Sequence, residues 1–87
     1  MSLMRAGGLE VHEVSDGYIV YQRERDRVHH LNRTAAIVFE LCDGTHQPQD
    51  VVARVAEIYA LDASAHGEIR AALDSLVQRG LVLSSSM

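Results

Sequence analysis

The sequence has few of the residues that cross-link a protein or anchor it in a membrane. It contains no tryptophan, one proline and one cysteine among 87 residues. A single thiol excludes a disulfide framework and a zinc site built from several cysteines. No apolar run approaches the roughly 20 residues that a membrane-spanning helix needs. We therefore expect one small domain with no membrane partner.

Excess positive charge is also lacking. The formal net charge is −4 at pH 7, and it arises in residues 35–87, because acids and arginines balance in residues 1–34. Nucleic-acid binding draws much of its affinity from cations that neutralise phosphates. The acidic second part of the chain argues against a nucleic-acid partner.

The residues that are present begin with two hairpin patterns. Apolar and polar residues alternate imperfectly in residues 9–15, and residues 18–23 are rich in aromatic and β-branched side chains. Asp16-Gly17 lies between them and is typical of two-residue hairpin turns, because glycine accepts a positive φ. A second turn at residues 24–26 would return the chain through residues 27–31. The sequence thus predicts three short antiparallel strands.

The period of the apolar residues then changes to that of helices. Asn32 or Thr34 can cap a first helix, which Gly44 would end. Pro48 suits the first turn of a second helix, and a third is expected to start near Ser64. The order of elements is therefore three strands followed by three helices.

This order predicts an α+β fold that is winged-helix-like, with a three-stranded antiparallel sheet followed by three helices. A short closing strand is expected at residues 81–83. One domain covers residues 9–83, and residues 1–8 and 84–87 are expected to be flexible ends. The start Met1-Ser2-Leu3, before a second methionine, is typical of an expression leader.

The side chains that often carry chemistry do not combine into a site. His29 and His30 are adjacent in a predicted strand, so they point to opposite faces and cannot share one metal ion. Cys42 lies at a predicted helix C-terminus beside Asp43, where the negative field raises the pKa of a thiol. We predict that the chain is not an enzyme and holds no metal or cofactor. A single thiol fits the reducing cytoplasm.

An open sheet edge is the strongest physical indication of function. The outer strands of a three-stranded sheet leave N–H and C=O groups unpaired, and residues 27–31 contain neither proline nor lysine. Such an edge can accept a strand from another chain. Arg23, Arg25 and Arg27 flank the preceding turn and Arg33 follows, either as a solvated tip or as a basic rim for an acidic peptide.

The stretch from Val28 to Gly44 resembles the signature of the PqqD-like family, the leader-peptide recognition domains of peptide-modifying biosynthetic pathways. That signature is a Leu-Asn-x-Thr-Ala turn into an apolar helix that ends in Asp-Gly. It corresponds here to Leu31-Asn32, Thr34-Ala35 and Asp43-Gly44. The resemblance extends over nearly the whole chain and implies the same three-strand, three-helix fold.

The resemblance also implies binding of the leader segment of a ribosomally made precursor peptide. The leader would add as an antiparallel strand beside the third strand, in a groove walled by the third helix. Carried over to this chain, the peptide-binding residues are Arg27, Val28, His29, His30 and Leu31 on the strand and Arg70, Leu73, Asp74 and Val77 on the helix. A modifying enzyme, often a radical S-adenosylmethionine protein, is the second implied partner and would hold the cofactor.

Two other functions remain open from the residues alone. A winged-helix nucleic-acid binder would need a basic recognition helix, whereas the third helix carries Glu68 and Asp74 against Arg70 and Arg79. A structural subunit would need no ligand, and its edge strand would pair across a two-fold axis in a homodimer.

Overall fold

The computed structural model describes residues 2–59 and 66–85. Its elements, in chain order, are β1 (Ser2–Arg5), β2 (Leu9–Val14), β3 (Gly17–Gln22), β4 (Arg27–Asn32), α1 (Arg33–Leu41), α2 (Pro48–Ile58), α3 (His66–Gln78) and β5 (Val82–Ser85). Strands β2, β3 and β4 form one antiparallel sheet in that order, and β1 pairs with β5 in another. The predicted α+β fold is confirmed. The predicted start of the third helix near Ser64 lies outside the described residues.

Side chains of the three-stranded sheet alternate between a face that packs on the helices and a face in solvent. Val20 and Gln22 of β3 are buried, and they lie opposite His29 and Arg27 of β4. Paired residues point to the same face of a sheet. Arg27, His29 and Leu31 of β4 therefore face the helices.

The first hairpin is confirmed, but its turn lies one residue earlier than predicted. Val14 pairs with Gly17, so Ser15 and Asp16 form the turn and Gly17 is the first residue of β3. Gly17 has a φ of +150°, and a Cβ at this position would collide with the carbonyl oxygen of Leu31 on β4. The close approach of β4, rather than the turn, therefore requires glycine here.

The second predicted turn is also confirmed. One turn of 3-10 helix at Arg23–Arg25 leaves β3, and Asp26 follows with a left-handed φ of 49°. Asp26 Oδ1 accepts a hydrogen bond of 2.8 Å from the Tyr21 hydroxyl. Since Tyr21 alternates with the buried Val20 and Gln22, this bond holds the acidic side chain on the solvent face of the sheet.

The first residues of the chain form a strand, whereas the sequence predicted a flexible end there. β1 pairs with β5 on one side. On the other side, Gly44 N–H donates to Leu3 O at 2.7 Å, and Arg5 N–H donates to Cys42 O at 2.9 Å. Leu3 is 2 % exposed and belongs to the core. Four residues whose partners are all distant in sequence carry no local periodic signal, which is why this strand was not predicted. β5 likewise extends into the other end that was expected to be flexible.

Two short motifs fix the ends of α1. Asn32 Oδ1 accepts a hydrogen bond of 2.9 Å from Ala35 N–H and caps the N-terminus. After the helix, Asp43 Oδ1 accepts from the hydroxyl and the N–H of Thr45 at 2.6 and 3.0 Å. These two bonds lower the pKa of Asp43 to about 2. Gly44 follows with a φ of +90°, and the turn presents its N–H to β1.

The helices bury one continuous core against the sheets. α3 contacts both α1 and α2. The core side chains that the helices contribute include Val38, Phe39, Val51, Val55, Ile69, Leu73 and Leu76. Burying each such aliphatic or aromatic side chain contributes about 1.5–3 kcal/mol. In the ranges described, no helix is both long and apolar enough to cross a membrane.

The approach of β4 to Gly17 predicts a large effect of a single methyl group. We expect Gly17→Ala to lower the free energy of unfolding by about 2 kcal/mol or more, because the change adds both a collision and an unfavourable φ. Gly7→Ala is the matched control, since a Cβ there meets nothing within 4 Å, and its effect should stay within about 0.5 kcal/mol. Urea denaturation measures both, and equal effects would contradict this account of Gly17.

Candidate functional site

β4 is an edge strand of the three-stranded sheet, with β3 as its neighbour. An edge strand directs half of its N–H and C=O groups away from the sheet. Residues along this strand are also exposed: Val28 is 66 % exposed, and Arg27 and His30 are exposed too. β4 thus offers backbone donors and acceptors to a further strand.

A groove of about 170 Å³ lies between β4 and α3. Its lining, which defines the edge groove, consists of His30, Leu31, Asn32, Ala35, Ala72, Ser75, Leu76 and Arg79. Leu31 and Leu76, each 1 % exposed, lie at its floor. Ala35, Ala72 and Ser75 are too short to fill the space above that floor. Small side chains on α1 and α3 therefore keep the edge groove open.

A buried glutamine ties the sheet to the C-terminal end of α3. Gln22 is 5 % exposed, and its Nε2 donates to the Arg79 carbonyl at 3.1 Å. Its Oε1 remains as an acceptor, so His29 Nε2–H donates to it across 2.9 Å. Arg25 Nη1 donates to the same Arg79 carbonyl at 3.3 Å. Both ends of the buried amide are satisfied, and they fix β3 and β4 against α3.

Positive charge gathers around His29. Burial lowers the pKa of His29 below its usual value near 6.5, and the charges of Arg79, Arg27 and Arg25 lower it further. The imidazole is therefore largely neutral at pH 7, while the three guanidinium groups stay charged. Arg25, Arg27 and Arg79 form what we call the basic cluster. None of the ion pairs within residues 2–59 and 66–85 involves it.

The four α3 residues that were predicted to wall the groove lie on another flank of the helix. Arg70, Leu73, Asp74 and Val77 line a second pocket of about 320 Å³ with Leu3, Pro48, Gln78 and Ser84. The α3 residues that share the edge groove with β4 are Ala72, Ser75, Leu76 and Arg79. The structure thus brings the predicted β4 segment together with a different row of α3.

The difference is one of helical phase. The apolar residues of α3 recur at three- and four-residue steps and face several neighbouring elements, so their period does not show which flank meets β4. The signal in the sequence that marks the edge groove is the pair of small residues Ala72 and Ser75 beside the core residue Leu76. Small residues on one helical flank leave room for a ligand.

His29 and His30 are adjacent in β4 but point to opposite faces of the sheet. In the described part of the chain, no three His, Cys, Asp or Glu side chains gather as a metal site would require. His29 faces α3. His30 borders the edge groove, but its ring points to the other face of the sheet, where its Nε2 lies 3.3 Å from Asp16 Oδ1. The alternation that was predicted for this strand explains their separation.

Cys42 is held in a state that disfavours nucleophilic chemistry. Its thiol is buried and donates to the Val38 carbonyl at 3.1 Å. Burial raises the pKa of the thiol to about 11, with Asp43 acting in the same direction and Arg5 opposing it. The reactive thiolate is therefore scarce at neutral pH.

Residues 17–82 match the protein family described as coenzyme PQQ synthesis protein D (PqqD). Two solved structures share the fold over 97% of this chain. One is TbiB1 in complex with the TbiA(beta) leader peptide, with a TM-score of 0.76 and 13% identity over 99% of that chain. The other is lasso peptide synthetase B1 complexed with the leader peptide, with a TM-score of 0.75 and 22% identity over 100% of that chain. No curated protein matches the sequence.

The environment of Cys42 predicts a slow thiol. In native buffer near pH 8, we expect its modification by a disulfide reagent to be slower than in denaturant by about a hundredfold or more, because reaction requires the core to open. Absorbance of the released thiol measures the rate. Modification of the native protein as fast as that of the denatured chain would show that Cys42 is accessible.

The lowered pKa of His29 predicts a pH-dependent contribution to stability. The folded state binds this proton less readily than the unfolded chain does. The contribution is therefore complete above about pH 6.5 and is lost as the pH falls through the lowered pKa. Urea denaturation at pH 8 and pH 5 should show a weaker pH dependence for His29→Gln than for the unaltered protein. His12→Gln, at an exposed position on β2, is the control, and an equal change in both variants would contradict the prediction.

Proposed function

This chain belongs to the PqqD family, described as coenzyme PQQ synthesis protein D, and on that premise we propose that it is a non-catalytic peptide-binding module. It binds the leader segment of a ribosomally synthesised precursor peptide by strand addition at β4. It then presents the precursor to a modifying enzyme of a biosynthetic pathway. The observation that carries this proposal is an open edge strand directly beside the edge groove.

The two solved structures support the proposal by analogy. TbiB1 and lasso peptide synthetase B1 are each in complex with a leader peptide. At 13% and 22% identity, the likeness shows the fold, and the ligand class is our inference for this chain. A leader on β4 would contact the predicted strand residues, Arg27 to Leu31, and would rest on Ala72 and Ser75 of α3.

The energetics of strand addition explain why an edge alone is not enough. Ordering one peptide residue costs about 1–2 kcal/mol, and each new backbone hydrogen bond returns a net of about 0.5–1.5 kcal/mol. The hydrogen bonds therefore roughly balance the loss of peptide freedom. Apolar side chains of the peptide must supply the surplus by burial in the groove, at about 25 cal/mol per Å². Occupancy of the edge groove should thus decide the affinity.

If this chain only binds the precursor, a partner enzyme must carry out the chemical modification. We propose that a modifying enzyme, such as a radical S-adenosylmethionine protein, holds the cofactor and acts on the precursor that this chain delivers. Because precursor peptides of this kind are made on ribosomes, we place the encounter in the cytoplasm.

Blocking the edge groove should remove peptide binding. Ala72→Trp fills the groove from α3, whereas Ala71→Trp adds the same side chain at an exposed neighbouring position outside its lining. Random peptides of about 15 residues, more than twice the length of β4, are displayed on phage and selected on the unaltered protein. Fluorescence polarisation with the enriched peptides should give similar Kd values for the unaltered protein and Ala71→Trp. It should give a Kd for Ala72→Trp that is weaker by about tenfold or more.

A second groove variant, Ser75→Tyr, guards against misfolding of the first, and circular dichroism checks both. Enriched peptides that bind both groove variants as tightly as Ala71→Trp would contradict the proposal. So would a selection that yields no peptides above background.

The same edge has a competing use in a homodimer, in which β4 of one copy pairs with β4 of another. Sedimentation velocity distinguishes the two uses. A concentration-dependent dimer that does not dissociate when excess peptide is added would favour the structural role over peptide binding.

A further inference from the structure

The arginines of this chain differ in their partners. Arg5 lies 3.7 Å from Glu40, and Arg23 lies 4.0 Å from Glu10. The basic cluster has no such carboxylate among the ion pairs of the described residues. Within it, Arg25 donates to a backbone carbonyl at the end of α3. Arg27 and Arg79 therefore remain as exposed cations.

These two arginines lie at the same end of the edge groove, one on the strand and one after the helix. Arg27 pairs with Gln22 across the sheet, and the carbonyl of Arg79 accepts from the Gln22 side chain at 3.1 Å. The Gln22 residue thus adjoins the backbone of both. The charges of both also reach His29, the next residue of β4 on the same face.

Carboxylates near these two arginines are bound on other surfaces. Asp26 accepts its hydrogen bond from Tyr21 on the solvent face of the sheet, and Glu10 on β2 lies near Arg23. This end of the groove consequently carries the three arginines of the basic cluster against one remaining turn carboxylate, Glu24, on a chain whose net charge is −4. Such a local excess attracts an anionic group of a ligand.

We infer that Arg27 and Arg79 bind a carboxylate side chain of the guest peptide and so set its direction and register on β4. The inference rests on the proposed function and adds a specificity rule to it. A guanidinium group offers paired N–H donors that match a carboxylate. Two arginines from opposite sides of a groove can hold one acidic residue between them.

The position of the cluster defines where the acidic residue lies in the peptide. β4 begins at Arg27 and ends at Asn32. A strand added antiparallel to it therefore starts beside Asn32 and ends beside Arg27. The acidic residue must then follow, along the peptide, the apolar residues that fill the edge groove. Backbone pairing alone specifies register weakly, because every residue offers the same groups.

Charge favours a peptide carboxylate over a nucleic-acid chain. Nucleic acids are bound by surfaces that neutralise several successive phosphates. Here two arginines lie at one end of the groove, and α3 exposes the acidic residues Glu68 and Asp74. A single carboxylate matches this arrangement in size and charge.

A charge-neutralising cycle tests the inference. Peptides are selected by display on the unaltered protein and on a double variant with Arg27→Gln and Arg79→Gln, which keeps the Arg79 carbonyl that Gln22 binds. Arg54→Gln, on the exposed face of α2, is the control. We expect peptides selected on the unaltered protein and on the control to carry Asp or Glu at a fixed distance after their apolar residues. Peptides selected on the double variant should lack this enrichment.

Synthetic peptides complete the cycle. Replacing the enriched acid by its amide should weaken binding to the unaltered protein by about fivefold and binding to the double variant by less than about twofold. Selected peptides could lose binding to Ala72→Trp and yet show no enrichment of Asp or Glu, or no energetic coupling between their acid and the two arginines. Either result would overturn this inference and leave the proposed function intact. A failure to select any groove-dependent peptide would overturn both. The inference would also be overturned if duplex DNA bound the unaltered protein at about 150 mM salt but did not bind the double variant. That result would show that the arginines bind phosphates.

Discussion

The hydrogen bond from Gln22 to the end of α3 is the interaction on which the geometry of the edge groove depends. A buried amide that loses its partners costs about 1–3 kcal/mol, so the sheet and the helix are held at the distance that keeps both partners in reach. Gly80 contributes to this fit, because a Cβ there would meet the Gln22 and Arg25 side chains at 3.2 Å. Its φ of +74° also allows α3 to end at this point. Through Gln22, this contact links β3, His29 of β4 and the end of α3 that borders the edge groove.

The motifs that suggested the family have plain structural reasons. Asn32 ends the edge strand and caps α1, so β4 and α1, which both contribute residues to the edge groove, are joined without a loop. Asp43 and Gly44 end the same helix in a turn whose N–H binds β1. The spacing between the two motifs is therefore the length of α1. Each pair of residues performs a local task that few other residue types can perform.

The sequence predicted the sheet, the two hairpins and the order of helices, because each rests on a local period or turn signal. It did not predict β1, whose partners are β5 and the turn after α1, both remote in sequence. It placed the edge correctly, since residues 27–31 could be recognised as a strand from the turn before them. It assigned Arg70, Leu73, Asp74 and Val77 to the groove, and the structure gives them a different pocket. Apolar periodicity shows which side of a helix is buried. It does not show which neighbouring element packs against each flank.

α3 lines the edge groove on one flank and a second pocket on another, and this limits which of its residues can be substituted. Between positions 69 and 79, each residue is buried in the core, lines the edge groove or lines the pocket beside β1 and β5, with Ala71 as the exception. Most surface helices leave half of their positions free to drift under selection. This helix does not, so a change of ligand preference on one flank must be reached through residues that leave the other flank undisturbed. We expect substitutions that change ligand preference to accumulate on β4, because its outward side chains are less constrained by packing.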